Sequence, residues 1–344
     1  TDAIRKRCEN EVLGYTGKPD SYYNAIINWV KQRYDLIVTK EVINFVPGIV
    51  PGIGMAMNCF TQKGDKVMIQ PPVYHPFAWV TTRNERTLVI NPLKWENGMY
   101  RMDLDAFREQ IKGCKLFILC NPHNPGGVVW TEAELRAIAD ICYDEKVLVF
   151  SDEIHADLTL PPHTHRPFAT VCEKARMNSV TFMSPSKAFN MPGLSASHAL
   201  IFNEDLRKRF RIYMDAGELD MGHVFAFLSV EAAYSHGTEW LDQCLAYIQG
   251  NIDFVDEFLK KHAPKIKAIR PEASYLVWLD CRELELSQKD LNEFFVDKAH
   301  LALNDGEMFG KEGIGFMRLN VASPRCIIEK AMKQLADAYQ LYIK

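Results

Sequence analysis

Five short apolar runs, separated by amphipathic stretches, constrain this 344-residue chain more than any other feature. They are KVMIQ (66–70), LFILC (116–120), VLVFSDE (147–153), SVTFMS (179–184) and ALIF (199–202). Each is rich in β-branched or aromatic residues, apolar nearly throughout, and bounded by polar or turn residues. Strands buried on both faces read this way. Between them lie helical patterns, the clearest opening at Thr131, where T-E-A-E forms a capping box ahead of LRAIADICYDE. Strands alternating with helices require crossover connections, and these generate a mostly parallel sheet flanked by helices.

The pattern changes after about residue 220. MGHVFAFLSVEAAYSHGTEWLDQCLAYIQGNIDFVDEFLKKH reads as helix with a break near Gly237, YLVWLD (275–280) and FMRLNVA (316–322) as strands, SQKDLNEFFVDKAH as a helix capped by Ser287, and CIIEKAMKQLADAYQLYIK as a terminal helix. A chain of 344 residues exceeds the roughly 250–300 at which one core stops growing. We therefore expect an α/β protein with a large domain over 15–240 and a smaller α+β domain over 241–344, joined by 1–14.

Composition excludes several classes. Lys plus Arg is 40 against 44 for Asp plus Glu, a formal charge of −4, which gives no basis for a nucleic-acid or anionic-membrane surface. No apolar run approaches the ~20 residues of a membrane helix. Nine cysteines, an odd number with no C-x-x-C pair, lie scattered and partly in apolar runs, which points to a reducing cytoplasm. The opening TDAIRKRCENEV is charged and helical in pattern, and we expect a further segment ahead of it.

Ligand sites in open α/β sheets lie beyond the carboxyl ends of strands, and four such places carry unusual residues. Asn121-Pro122-His123-Asn124-Pro125-Gly126-Gly127 follows LFILC and forms a turn that can aim the Asn124 amide at a ligand. Asp152 closes VLVF, where a buried carboxylate demands a positive partner, either a protonated ring nitrogen or a metal. His155 and Asp157, with His163 and His165 in PPHTHRPF, allow a metal reading, but no ligand spacing supports it, and we expect no metal. Lys187, in Ser184-Pro185-Ser186-Lys187, leaves a buried strand where desolvation suits it to imine and base chemistry. Val46-Pro47-Gly48-Ile49-Val50-Pro51-Gly52-Ile53-Gly54 precedes the helical MAMNCF and offers an anion cradle, though it matches neither dinucleotide nor Walker patterns. A lysine, a buried aspartate, an asparagine turn and an anion cradle together fit pyridoxal 5'-phosphate (PLP).

NPHNPGG, SDEIHAD and SPSKAFNMPGL, in that order, resemble the fold-type I PLP enzymes of the aspartate aminotransferase superfamily. DEIHAD, PSKAFN and PPVYHPF are most similar to the cystathionine β-lyase branch of the MalY/PatB type. The resemblance implies Lys187 as the Schiff-base lysine, Asp152 as partner of the pyridine nitrogen, Asn124 and His155 near the phenolic oxygen, and Tyr74 stacked on the ring. It implies that Ile49 and Val50 amides, with Ser184 and Ser186, hold the phosphate, and that Arg318 grips the substrate carboxylate. It further implies a homodimer in which Tyr15 reaches the neighbouring subunit's phosphate. The family's phosphate-binding arginine eight residues after the lysine is here Ser195. The implied activity is C–S β-elimination from L-cystathionine or S-substituted cysteines, giving thiol, pyruvate and ammonia. Amino transfer to a 2-oxo acid shares the same cofactor residues, and a binding module without catalysis is the third reading.

Overall fold

The computed structural model describes residues 1–342. Thirteen strands are present among them: β1 (Ile43–Val46), β2 (Lys66–Ile69), β3 (Thr87–Ile90), β4 (Lys94–Glu96), β5 (Met99–Arg101), β6 (Cys114–Cys120), β7 (Leu148–Asp152), β8 (Ser179–Met183), β9 (Ser197–Leu200), β10 (Lys267–Ile269), β11 (Leu276–Asp280), β12 (Asn304–Asp305) and β13 (Phe316–Asn320). Seven form one sheet in the order β1-β9-β8-β7-β6-β2-β3. Within it β3, β2, β6, β7 and β8 pair in parallel, while β9 pairs antiparallel with β8 and β1. The ALIF run is thus a strand, but the one that reverses direction.

Both faces of this sheet are covered, which explains the nearly continuous apolar runs. Along β6, Leu116, Ile118 and Cys120 pack into the cluster that holds Ile53, Phe150 and Phe182. Their neighbours Phe117 and Leu119 pack into the opposite cluster with Phe107, Trp130 and Leu135. The helix Glu132–Asp144 opens on the expected capping box, with Thr131 Oγ1 accepting from Glu134 N–H and the Glu134 carboxylate accepting from Thr131 N–H.

The second sheet is antiparallel, β10-β11-β13-β12. Gly237 separates the helices Val224–His236 and Thr238–His262, and the chain ends on the helix Arg325–Tyr342. Ser287 caps the helix Gln288–Glu293 through Asp290 N–H, and a π-turn continues it to Lys298. One apolar cluster joins Trp29 and Tyr234 to Leu245, Leu279 and Leu335, so the second sheet and the long helices share a core with the amino-terminal helix Asp20–Tyr34. No described helix is long and apolar enough to cross a membrane.

Candidate active site

Sheet register brings the chemistry together. Cys120 at the end of β6 pairs beside Asp152 at the end of β7, and Asp152 pairs beside Phe182 of β8. The segments that continue from these three ends carry Asn124, His155 and Lys187. They meet Arg318 of β13 around one cavity of about 430 Å³, whose wall also includes Tyr74, Ile49, Val50 and Ser186.

Asp152 is buried and its carboxylate accepts a single N–H, from Ile154 at 3.1 Å. Burial raises its pKa to about 7, reinforced by Glu153 and opposed by the Ile154 N–H and Lys187. A carboxyl in that condition gains by facing a cation. Lys187 has no hydrogen-bond or ionic partner among the described residues. Burial lowers its pKa, Arg318 lowers it further, and Asp152 acts the other way. A larger fraction of its amine is therefore neutral at physiological pH than for a lysine in water.

Asn124 is held from two sides. Its backbone N–H reaches Cys120 Sγ at 3.3 Å, and its side-chain oxygen accepts from Arg318 Nη1 at 2.9 Å, leaving the amide NH₂ for a ligand. The turn is anchored by Gly127, whose carbonyl accepts from Glu272 and Ala273 N–H. A Cβ on Gly127 would lie 2.5 Å from Pro271 at a φ of +68°, so glycine is required there.

Arg318 donates from Nη2 to Asn304 Oδ1 at 2.8 Å and lies 4.7 Å over the Phe309 ring. Its Nε is buried without a partner, and among the described residues it makes no ion pair. Burial lowers its pKa to about 10, countered by Tyr74 and Tyr275. A desolvated guanidinium held by neutral amides is a receptor for a carboxylate. His155 is buried with Nδ1 unpartnered, and burial, then Lys187 and Arg318, press its pKa down to about 3, so the ring is neutral. The Tyr74 ring lies edge-on to Phe77, 5.8 Å away, which fixes it in the cavity wall.

The helix Ile49–Phe60 begins at the cavity with no side-chain cap, leaving the first-turn N–H groups of Ile49 and Val50 for an anion. Ser184 differs from the other proposed anion ligands. It is not in the cavity wall; its hydroxyl donates to Ala196 O at 2.8 Å and accepts from Ser186 N–H at 3.1 Å. Ser195 and Ser197 line the cavity beside Ser186. Tyr15 lies outside its own chain's cavity and is 97% exposed.

Of the residues weighed for metal, His163, His165 and Asp157 have other partners. His165 Nε2 lies 2.8 Å from Glu153 Oε2, and His163 faces Glu272 at 3.7 Å. Asp157 accepts from Trp29 Nε1 at 3.0 Å and from Tyr34. Cavity residues that escaped the sequence reading include His75, Ser197, Tyr275 and Asn320. His75 stood in a quoted motif beside Tyr74. Asn304, which steers Arg318, comes opposite it only through the two-residue strand β12, and no local pattern announces that pairing.

The family model for aminotransferase class I and II matches residues 5–335. The chain belongs to the aminotransferase class I and II family. Within that family it is 37% identical to the cystathionine beta-lyase PatB of Bacillus subtilis over 98% of this chain and 88% of that protein. Among solved structures it superposes on cystalysin from Treponema denticola, which contains a pyridoxal 5'-phosphate cofactor, with a TM-score of 0.96 and 34% identity, covering 100% of this chain and 87% of that one. It superposes on the PLP-bound C-S lyase from Staphylococcus hominis with a TM-score of 0.91 and 33% identity, covering 98% and 86%.

Proposed function

We propose that this protein is a PLP-dependent C–S β-lyase that releases a thiol, pyruvate and ammonia from L-cystathionine or other S-substituted L-cysteines. The observation that carries the reading is the meeting, in one cavity, of an unpaired lysine, a buried carboxyl poised for a cation, an uncapped helix N-terminus and a desolvated arginine. That donor set fits the amine-reactive aldehyde, ring nitrogen and phosphate of PLP together with a substrate carboxylate.

When bound, PLP supplies an aldehyde that condenses with amines and a protonated ring that accepts the electron pair left by a departing proton. Asp152 would hold the ring nitrogen protonated. The Asn124 NH₂ would hold the phenolic oxygen, the Tyr74 ring one face, and the N–H groups of Ile49 and Val50 with Ser186 the phosphate. Arg318 binds and orients the substrate α-carboxylate. Lys187 Nζ would hold the aldehyde and, as a free amine, would take the substrate α-proton, a task its lowered pKa suits. Burial of Asp152, Asn124 and His155 excludes water from the floor of the site.

Similarity to a named cystathionine β-lyase along 98% of the chain favours elimination over amino transfer. The near-complete exposure of Tyr15 supports its service to a neighbouring subunit in a homodimer with shared sites. All nine cysteines are free, which supports work in the cytoplasm. We also keep the division of the chain near residue 240 as part of this reading. The test is pyruvate release from L-cystathionine by the purified holoenzyme with no 2-oxo acid added. Steady multiple turnover is expected. Amino transfer on supplying a 2-oxo acid, without pyruvate, would overturn the lyase in favour of an aminotransferase.

A further inference from the structure

A second cavity, of about 390 Å³, opens beside the site described above and shares three of its walls: Lys187, Tyr275 and Asn320. Its far wall is one stripe of the helix Thr238–His262, where Trp240, Cys244, Tyr247 and Ile248 recur at the spacing of a single helix face. Leu158, Ala188, Ala322 and Pro324 add to a mainly apolar lining, in which Asn190, Asn320 and Ser323 are the neutral polar members.

Two features make this a binding surface rather than residual space. First, Trp240 and Tyr247 are 51% and 48% exposed, although a soluble protein covers neighbouring large rings where it can. Both are nonetheless fixed: Trp240 stacks on Phe189, 5.8 Å away at 27°, and the Tyr247 hydroxyl accepts from Arg325 N–H at 2.6 Å. Second, among the described residues Lys187 is the only charged one in the wall. The nearby Arg325 guanidinium is turned away, donating to Asn251 and lying 4.9 Å over Phe254. A zwitterionic arm entering this space would lose water and find neutral polar groups but no carboxylate for its ammonium, and no cation for its carboxylate besides Lys187, which the lyase reading commits to catalysis.

We propose that this annex receives the sulfur substituent of the substrate and selects apolar, preferably aromatic, S-substituted L-cysteines over zwitterionic ones such as L-cystathionine. The inference rests on the β-lyase reading for its chemistry and on the annex alone for its selectivity. The amino-acid end lies against Arg318 and Lys187, and the thioether arm runs past Tyr275 to the Trp240–Tyr247 stripe. An apolar pocket is worth tens of fold per well-placed methylene group, so an aryl arm should gain measurably over a methyl.

The experiment compares pyruvate release from S-benzyl-L-cysteine, S-methyl-L-cysteine and L-cystathionine by the holoenzyme and by Trp240→Ala and Cys244→Phe, the second filling the annex. Binding of benzyl methyl sulfide, which has the arm and lacks the amino acid, is measured alongside by calorimetry. We expect the holoenzyme to favour S-benzyl-L-cysteine over both other substrates in kcat/KM. The benzyl-to-methyl ratio should fall at least about tenfold in each variant, with weaker binding of the sulfide. A preference for L-cystathionine over S-benzyl-L-cysteine, or a benzyl-to-methyl ratio left unchanged by both variants, would overturn the annex. If no S-substituted cysteine yields pyruvate, the lyase reading falls, and calorimetry decides the annex by itself. Sulfide binding weakened by Cys244→Phe upholds it, and equal binding overturns it.

Discussion

Replacing Arg318 by glutamine separates a receptor arginine from a structural one. A structural arginine is paired with a carboxylate, so its removal strands a buried charge and costs about 3–5 kcal/mol. Among the described residues the Arg318 side chain has only Asn124, Asn304 and the Phe309 ring as partners. The fall of its pKa to about 10 under burial corresponds to about 3 kcal/mol by which the charged form is less at ease than in water, at about 1.4 kcal/mol per pKa unit. Glutamine removes that penalty while giving up two hydrogen bonds worth about 1 kcal/mol each or somewhat more. The two effects nearly cancel, so folding stability should stay within about 1–2 kcal/mol of the parent. Substrate binding is the opposite case. Losing a bidentate, charge-assisted grip on the α-carboxylate costs about 3–4 kcal/mol. That is a fall in kcat/KM of about 10²–10³. The assays are thermal unfolding of the apoprotein and steady-state pyruvate release by the holoenzyme, with cofactor affinity measured separately and expected to change little. A variant that unfolds early yet keeps its kcat/KM would refute the reasoning, because Arg318 would then be structural.

Asp152 carries a pH signature. Its folded pKa of about 7 lies above its unfolded value, so the native apoprotein binds the extra proton and loses stability as pH rises from about 4 to about 7. Asp152→Asn should therefore stabilise the apoprotein at pH 8 by about 2 kcal/mol or more, with little effect at pH 4, while cutting pyruvate release at least about 100-fold. Equal unfolding temperatures for the two proteins at pH 8 would contradict it. Lys187→Ala should abolish both the visible absorption of the lysine-linked cofactor and all turnover, and a coloured, active variant would refute the assignment. Mixing Tyr15→Ala with Lys187→Ala subunits should regenerate activity, with about a quarter of all sites intact at random pairing, because each mixed dimer rebuilds one complete site. Mixtures as inactive as the separate variants would place Tyr15 outside the partner's site.

The central strands were legible because both faces are buried, so β6, β7 and β8 are buried almost end to end and mainly apolar. The edges were not. β3 has no fully buried residue, and β1 runs straight into the glycine-rich stretch before Ile49. Strand direction was also invisible, since apolar content does not distinguish β9, which runs antiparallel, from its neighbours. Asp152, Asn124 and Lys187 could be read because each is a polar residue at or just beyond the end of an apolar run. The Asn304–Arg318 contact could not, because it depends on a two-residue strand pairing across fourteen positions. Ser184 looked like Ser186 in sequence, and only the loop's path shows that it braces the Ser186 backbone while Ser186 lines the cavity.

The titrations of Asp152 and Lys187 share one cause. Burial pushes the carboxyl up and the amine down, so each moves toward its neutral form. Their mutual attraction opposes both shifts without cancelling either. A tight Asp152–Lys187 ion pair would have relieved this cost and also disabled the site, because a paired lysine remains an ammonium and a paired aspartate has no call for a ring nitrogen. The fold avoids that pairing by placing the two groups on separate strand ends, β7 and the segment beyond β8, with the cavity between them. Arg318 then biases the balance, since its charge lowers the Lys187 and His155 pKa values together. In the proposed reading one guanidinium would serve as the carboxylate receptor and also help keep the neighbouring amine available as a base.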